Sequence, residues 1–314
     1  GMRRAGGPIE EPERTDLLDR IRRSSVRIDP IATGVAPRLT TLSGVSVVLF
    51  DVYGTLFVSG SGDVGSSVSR RRTDHFRDAL SEVALGSVPV AVAAEAMESY
   101  FALIDSDHAA ARSAGVNHPE IDAAAVWRRL LSDHASSLGL ESVDDVVARK
   151  AAVEYEVRAN PVWPMPRVGE VLRSFRRSRA SMGIVSNAQF YTPLLFEALL
   201  DASTGDLGFE EELISWSFCA GVAKPSLRVF EPILRKLRES RGIGPENVLY
   251  VGNDMLNDVY TAYRSGCRTC LFAGDRRSLR LRNDREECAT LVPDVVVTDL
   301  RQLYLCVPGV RGDE

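Results

Sequence analysis

Four short clusters in the 314-residue chain hold side chains of types that could act together on an anionic group. They are Asp51-Val52-Tyr53-Gly54-Thr55-Leu56, Ser186-Asn187-Ala188, Gly221-Val222-Ala223-Lys224-Pro225 and Gly252-Asn253-Asp254-Met255-Leu256-Asn257-Asp258. An aspartate is a weak nucleophile in water but attacks well when it is aligned and desolvated. A lysine supplies fixed positive charge where negative charge has to be stabilised. Asparagine and aspartate oxygens suit an octahedral magnesium ion that keeps several waters.

The elements needed to bring these clusters together are legible from the apolar pattern. Val45–Phe50 is a short, almost wholly apolar run bounded by Gly44 and Asp51, as a strand buried on both faces would be. Similar runs recur at Met182–Val185, Val248–Val251, Thr269–Phe272 and Val295–Val297, and helical patterns at Leu227–Leu237 and Asp258–Arg264 fall between them. That alternation predicts an α/β fold, a doubly wound and mainly parallel sheet. Such sheets build their sites where strands end, and each cluster lies at a strand end or in a loop.

Between about residues 60 and 165 the pattern turns helical, with no clear strand. Segments 76–80, 94–104, 123–131 and 143–157 fit amphipathic helices. Gly- and Ser-rich residues 59–67 lead in, and Pro161-Val162-Trp163-Pro164-Met165-Pro166 leads out; both read as hinges. The expected organisation is an N-terminal extension (1–40) with one short helix opening at Thr15-Asp16, an α/β body (41–60 and 166–314) and a helical insertion (61–165).

In order and spacing, the four clusters resemble the four motifs of the haloacid dehalogenase superfamily, over about residues 44–300. The helical insertion resembles that superfamily's cap, placed between the first and second motifs. A helix N-cap role for Asp51 would explain one residue and none of the other three motifs. The resemblance implies a Rossmann-like core and a hydrolase in which Asp51 attacks phosphorus or carbon to form a covalent aspartyl intermediate. Thr55 would shape the nucleophile loop. Ser186 and the Asn187 backbone N–H would hold oxygens of the transferring group, and Lys224 would stabilise negative charge. Magnesium would be held by Asp51, the Tyr53 carbonyl, Asn253, Asp254 and Asp258, although the superfamily usually has Asp where Asn253 stands. Asp258 could instead cap the helix through Val259–Ser265.

The sequence departs from the pattern at Tyr53. Phosphatases of the superfamily carry there a second Asp, as general acid and then base; a phenol with a reference pKa near ~10 can donate a proton but is a poor base. Asp-x-Tyr-Gly-Thr-Leu is similar to the 2-haloacid dehalogenases, whose halide needs no leaving-group proton. Against that reading, the dehalogenases resemble Ser-x-Asn-x-x-Asp in the fourth motif, and Met255 falls at their Asn. They also use an Arg after the first motif, for which Arg70, Arg71, Arg72 and Arg77 are candidates. The expectation is therefore a magnesium-dependent phosphatase acting on a small phosphorylated metabolite. The alternatives are a 2-haloacid dehalogenase and a weakly active or non-catalytic binding protein.

Composition narrows the classes further. A net charge of −5, with 45% hydrophobic and 26% charged residues, gives no general attraction to nucleic acid or an anionic membrane. No apolar run approaches the roughly 18 residues of a membrane span, and the N-terminus carries no signal-like stretch. Five scattered cysteines suit a reducing cytoplasm, and Cys267 and Cys270, despite their C-x-x-C spacing, read as small core residues. The expected partner is a small, anionic molecule. His118 reads as a loop-stabilising residue and Trp163 as hinge packing. Arg276, Arg277, Arg280 and Arg282, after a strand end, suit either an anion site or a solvated surface.

Overall fold

The computed structural model describes residues 7–61 and 72–312. Its strands are β1 (Val47–Phe50), β2 (Phe57–Ser59), β3 (Val162–Pro164), β4 (Ser181–Ser186), β5 (Phe209–Trp216), β6 (Val248–Gly252), β7 (Arg268–Phe272) and β8 (Val295–Val297). Six of them form one parallel sheet in the order β5-β4-β1-β6-β7-β8. All four residues of β1 are buried, and Phe50 lies opposite Ile184 on one side and Val251 on the other.

Successive β1 side chains enter different cores. Val48 and Phe50 join Val171, Leu172 and Phe175 of a helix at Val168–Arg177, whereas Val47 and Leu49 join Ile233 and Leu237 of a helix at Glu231–Arg241. Helices therefore cover both faces, which is why this central strand is apolar without alternation. Cys267 and Cys270 fall into these two different clusters, and burial pushes the Cys267 thiol up to about 12.

Four elements differ from the pattern-based expectation. β5 reads Phe-Glu-Glu-Glu-Leu-Ile-Ser-Trp, and its run of glutamates masks an edge strand whose charges face outward. β3 lies within the block expected to be wholly helical; it pairs antiparallel with β2 at the hinge, Trp163 opposite Val58, and three residues are too few to show alternation. The expected helix at Asp258–Arg264 is a π-helical turn, Met255–Tyr260, running into a short α-helix at Thr261–Arg264. Leu227–Leu237 divides into a 3-10 turn and a helix that begins at Glu231, with Pro232 in its first turn.

The inserted block contains α-helices at Thr73–Ser81, Val90–Ser113, Ala123–Asp133 and Asp145–Ala159. Phe76, Tyr100, Trp127 and Tyr155 pack there in a cluster of their own, with Phe76 and Trp127 stacked at 5.0 Å. Asp122 and Asp144 cap two of these helices through Ala125 N–H and Val147 N–H. Of the candidate arginines after the first motif, Arg70 and Arg71 lie outside the described residues, as do residues 62–67 of the expected hinge.

The N-terminal segment is more closely built in than an extension. Its helix, α1, spans Glu11–Ser24, starting four residues ahead of Thr15. Leu17 and Ile21 sink into the sheet-side core, and Arg14 pairs with Glu197 of the α/β body. On its other side Arg20 reaches Glu154 and, at 3.0 Å, Glu82, while Glu13 takes a bidentate bond from Arg149 at 2.6 and 2.8 Å. Beyond α1 the chain crosses the sheet end: Ile31 N–H donates to Asp275, Thr33 donates to the Ala273 carbonyl, and Arg38 pairs with Val296. Among the described residues no helix is long and apolar enough to cross a membrane.

Candidate active site

Asp51 follows β1 directly, at the carboxyl end of the sheet and between the ends of β4 and β6. Its Oδ1 accepts from the Ser186 hydroxyl at 2.9 Å and from Lys224 Nζ at 2.8 Å. Among the described residues no hydrogen bond reaches Oδ2. One oxygen is thus anchored and the other is left to react.

Lys224 is 5% exposed, and its ammonium donates to three acceptors: Asp51 Oδ1, the Tyr250 hydroxyl at 2.8 Å and Asp258 Oδ1 at 2.5 Å. Burial alone would lower its pKa, but the two carboxylates outweigh burial and raise it. The loop that carries Lys224 is clipped to the second motif by the Asn187 side chain, which accepts from Lys224 N–H at 2.7 Å and donates to the Lys224 carbonyl. Tyr250, on β6, donates to the Val185 carbonyl at 2.6 Å and so backs the lysine from beneath. Burial also holds the Tyr250 phenol well above its ordinary value.

The opposite wall holds Asn253, Asp254 and Asp258. Asp258 Oδ2 accepts from the N–H groups of Asn253 and Asp254, both at 2.9 Å, while Oδ1 faces Lys224. Burial pushes Asp258 up to about 6, against the pull of Lys224. Asp254, not Asp258, is the cap of the following π-helical turn, accepting from Leu256 and Asn257 N–H, and it is also gripped by Arg282 at 3.0 and 2.6 Å. The Asn253 amide accepts from Thr55 Oγ1 at 2.9 Å and donates to the Ser278 carbonyl at 2.8 Å. Gly252 lies where a Cβ would collide with Asp258 Cγ at 2.4 Å, so the β6 end closes tightly on that carboxylate.

These contacts are a poor fit to the magnesium set expected from the sequence. Asp258 and Asp254 already accept from N–H groups and cations on both oxygens, and the Asn253 oxygen is held by Thr55. An Asp at 253 would face the Ser278 carbonyl where the amide now donates. Among the described residues no group of three His, Cys, Asp or Glu side chains converges as a metal site.

Tyr53, at the position of the expected acid–base residue, is fixed by a side-chain partner. Its side chain is 5% exposed in the sheet-side core, and its hydroxyl shares a 2.9 Å hydrogen bond with that of Thr192. Tyr53 also lines the cavity beside Asp51. Ser186, expected to hold the transferring group, donates its hydroxyl to Asp51 Oδ1.

A cavity of about 60 Å³ opens beside Asp51, with Asn187, Lys224, Asn257, Ser278 and Arg280 in its wall. A larger one, about 230 Å³, lies between the body and the helical insertion; it shares Asn187 and is lined by Tyr100, Phe101, Tyr155 and Tyr191. The insertion is latched to the catalytic loops here. Pro119 pairs antiparallel with Val222, Ala223 N–H donates to the His118 carbonyl, and the Gln189 amide bonds Ile121 O and Ala123 N–H. Glu120 accepts from Ser217, Gln189 and Ile121 N–H, and burial pushes it up to about 7. The His118 side chain itself is exposed.

The family model for haloacid dehalogenase-like hydrolases matches residues 45–266, which span all four clusters. The chain belongs to that family. A solved 2-haloacid dehalogenase from Pseudomonas syringae pv. Tomato DC3000 is similar over 82% of this chain and 96% of its own, at 20% identity and a TM-score of 0.51. The L-2-haloacid dehalogenase from Xanthobacter autotrophicus matches at 20% identity, with 82% and 96% coverage and a TM-score of 0.43. A predicted phosphoglycolate phosphatase from Haemophilus somnus 129pt matches at 16% identity, with 84% and 98% coverage and a TM-score of 0.44. At such identities the first likeness speaks for the fold alone, and the other two carry no argument. No curated protein matches.

Within this haloacid dehalogenase-like fold, the structure brings together Asp51, Ser186, Asn187, Lys224 and Asp258, with Thr55 and Asn253 bonded to each other behind them. Tyr53 lines the same cavity, with its hydroxyl bonded to that of Thr192. Tyr250, Gln189 and Ser278 are not distinguished as site residues by the sequence pattern. Arg282 and Arg280 stood in a basic run that read equally as solvated surface, while Tyr250 sits within an apolar strand whose pattern hides a polar tip.

Proposed function

We propose that this hydrolase works by displacement at Asp51 and takes a substrate whose leaving group departs without a proton. A 2-haloacid is the substrate class that best satisfies those terms. The carrying observation is the Tyr53–Thr192 hydrogen bond, which ties the phenol at the acid–base position to a core hydroxyl. The occupied oxygens of Asn253, Asp254 and Asp258 support a site that works through its own cations.

In this reading Asp51 Oδ2 attacks the carbon bearing the halogen, and the halide leaves with the bonding electron pair. Water then adds to the carbonyl carbon of the Asp51 ester; the 2-hydroxyacid departs, Asp51 is regenerated, and one proton is released overall. Ser186 and Lys224, both on Oδ1, stabilise the oxyanion formed in the second step. The cavity beneath the helical insertion accepts the remainder of the substrate, apolar where Phe101 and Tyr155 line it.

The test is a screen of 2-haloacids and phosphate monoesters, with magnesium and with EDTA, using the wild-type protein and Asp51→Asn. Halide release that survives EDTA and falls by about 10³-fold or more in a folded Asp51→Asn protein is expected. Phosphate release that requires magnesium would overturn the leaving-group assignment. Full activity of Asp51→Asn would overturn the nucleophile.

A further inference from the structure

The turn of the insertion that carries Glu120 is joined to the loops of the second and third motifs at once. Pro119 pairs with Val222, Glu120 N–H donates to the Gly221 carbonyl at 3.2 Å, and Ala223 N–H donates to the His118 carbonyl at 2.8 Å, so the turn is sewn to the loop that ends at Lys224. Gln189, two residues beyond Asn187, donates to Glu120 and to the Ile121 carbonyl and accepts from Ala123 N–H, which sews the same turn to the second motif. The two loops hold each other through the Asn187 side chain and the Lys224 backbone.

Ser217 stands at the centre of this junction. It is 1% exposed and opens the short helix Ser217–Ala220 that leads into the Lys224 loop. Its hydroxyl accepts from Ala188 N–H at 2.8 Å, and lies 2.7 Å from Glu120 Oε2 and 3.1 Å from the Ala188 carbonyl. A hydroxyl has one proton to give. Beside a carboxylate that proton serves either Glu120 or the Ala188 carbonyl, and the other pair is left as two acceptors in contact. Beside a carboxylic acid the count closes: Glu120 donates to Ser217, Ser217 donates to the Ala188 carbonyl, and Ala188 N–H donates back to Ser217. Glu120 Oε1 meanwhile accepts from Ile121 N–H at 3.0 Å and from Gln189 at 3.2 Å.

We propose that Glu120 is a positioning residue that works in its acid form: its proton completes the Ser217 junction and so holds the insertion, Ala188 and the Lys224 loop in one register. Ionisation removes that proton and leaves an acceptor of the junction unsatisfied, which favours parting of the turn from both loops. The surroundings favour the acid. Glu120 has neutral hydrogen-bond partners, and burial pushes it up to about 7. Of the other titratable groups nearby, His108, Glu156 and the phenols of Tyr100, Tyr155 and Tyr191 share its cavity wall, while His118 and Asp122 lie two residues to either side. Burial holds His108 below its usual value, and Lys224, further along the third loop, faces Asp51 and Asp258. The inference rests on the proposed site only in taking Asn187 and Lys224 as part of its machinery, and not on the leaving group.

The test is backbone hydrogen exchange over residues 187–189 and 217–224 of the full chain at pH 6 and pH 8, in wild type, Glu120→Gln and Glu120→Ala. Glutamine copies the acid form, with an N–H where the acid has its O–H, and the ratio of wild type to Glu120→Gln cancels the intrinsic pH dependence of exchange. Opening returns Glu120 to the ordinary value of ~4.5, so that ratio should show opening about tenfold more frequent at pH 8 than at pH 6, while Glu120→Ala is loose at both. With a substrate from the screen above, kcat/KM of wild type relative to Glu120→Gln should fall about tenfold over the same interval; titration of Asp258 is common to both proteins and cancels. Exchange needs no turnover, so a mistaken nucleophile or leaving group leaves the junction tested. An exchange ratio that does not change with pH, or Glu120→Gln as loose as Glu120→Ala at pH 6, would overturn the acid form. A flat activity ratio beside a changing exchange ratio would overturn the positioning role.

Discussion

The two walls of the cavity beside Asp51 use nearly the same side chains to opposite ends. On one, Ser186 and Lys224 both converge on a single oxygen of Asp51 and leave the other open. On the other, every oxygen of Asp254 and Asp258, and the amide of Asn253, is bonded to backbone N–H, to a guanidinium or ammonium, or to a neighbouring hydroxyl. Carboxylates close in sequence therefore do not make a metal site by number alone. What decides is whether their lone pairs are already satisfied by the fold, and here the Asp51 wall keeps reactive capacity while the Asn253–Asp258 wall supplies rigidity.

Lys224 bonds a carboxylate of each wall, so its loss should have the largest effect. Lys224→Met leaves Asp51 and Asp258 facing each other in a buried site. Urea unfolding should show a loss of about 3–5 kcal/mol, and turnover should fall by about 10²-fold or more. A stable variant that merely lost activity would break the comparison, by showing that the Asp258 wall stands without its cation.

Glu120 sharpens the same contrast, because it accepts from the neutral donors Ile121 N–H, Gln189 and Ser217. Burial raises its pKa from the ordinary glutamate value to about 7, so the folded protein holds that proton more tightly than the unfolded chain. Its contribution to stability is complete below the unfolded value of ~4.5 and is lost as pH rises through about 7. Melting temperatures from pH 5 to 8 should therefore decline in the wild type. Glu120→Gln should flatten that decline, by on the order of 2 kcal/mol at its alkaline end. An unchanged slope would show that the latch tolerates the charge.

Removing Arg282 should cost less. Asp254 would keep its capping bonds to Leu256 and Asn257, so Arg282→Gln should destabilise by about 1 kcal/mol in thermal unfolding. The smallest effect expected is that of magnesium on the wild type: at millimolar concentration it should move the melting temperature by less than about 1 °C. A clear rise with the wild type would show that the second wall opens to a cation. A rise confined to Arg282→Gln would show that the guanidinium is what closes it.

Much of this arrangement is legible in the residue pattern. The apolar runs of β1, β4, β6, β7 and β8 place Asp51, Ser186 and Asn253 at one end of a sheet, because strands buried on both faces admit few polar residues. β5 is hidden because an edge strand can carry Glu210, Glu211 and Glu212 in succession. The orientation of Tyr53 is not in the pattern, since it depends on Thr192, 139 positions away. The same holds for Asp254: its partner Arg282 lies 28 residues on, and nothing local distinguishes that arginine from its neighbours. Motif spacing reveals which oxygens gather, while their satisfaction depends on contacts remote in sequence.

The position of α1 bears on how firmly the helical insertion is held to the body. The helical insertion is joined covalently to the body at two adjacent crossings, and a plate on two adjacent pins can swing about the line between them. α1 is a third, non-covalent attachment: its apolar side is sunk in the body through Leu17 and Ile21, and Glu13 and Arg20 grip Arg149 and Glu154 of the insertion. Any rotation that parts the insertion from the body has to pull one of those two sides loose. The contacts to the body are chiefly apolar and those to the insertion chiefly ionic, so heat and salt act on different sides of the same helix. The insertion is thus held by a clasp with two unlike faces, set by residues far in sequence from Asp51.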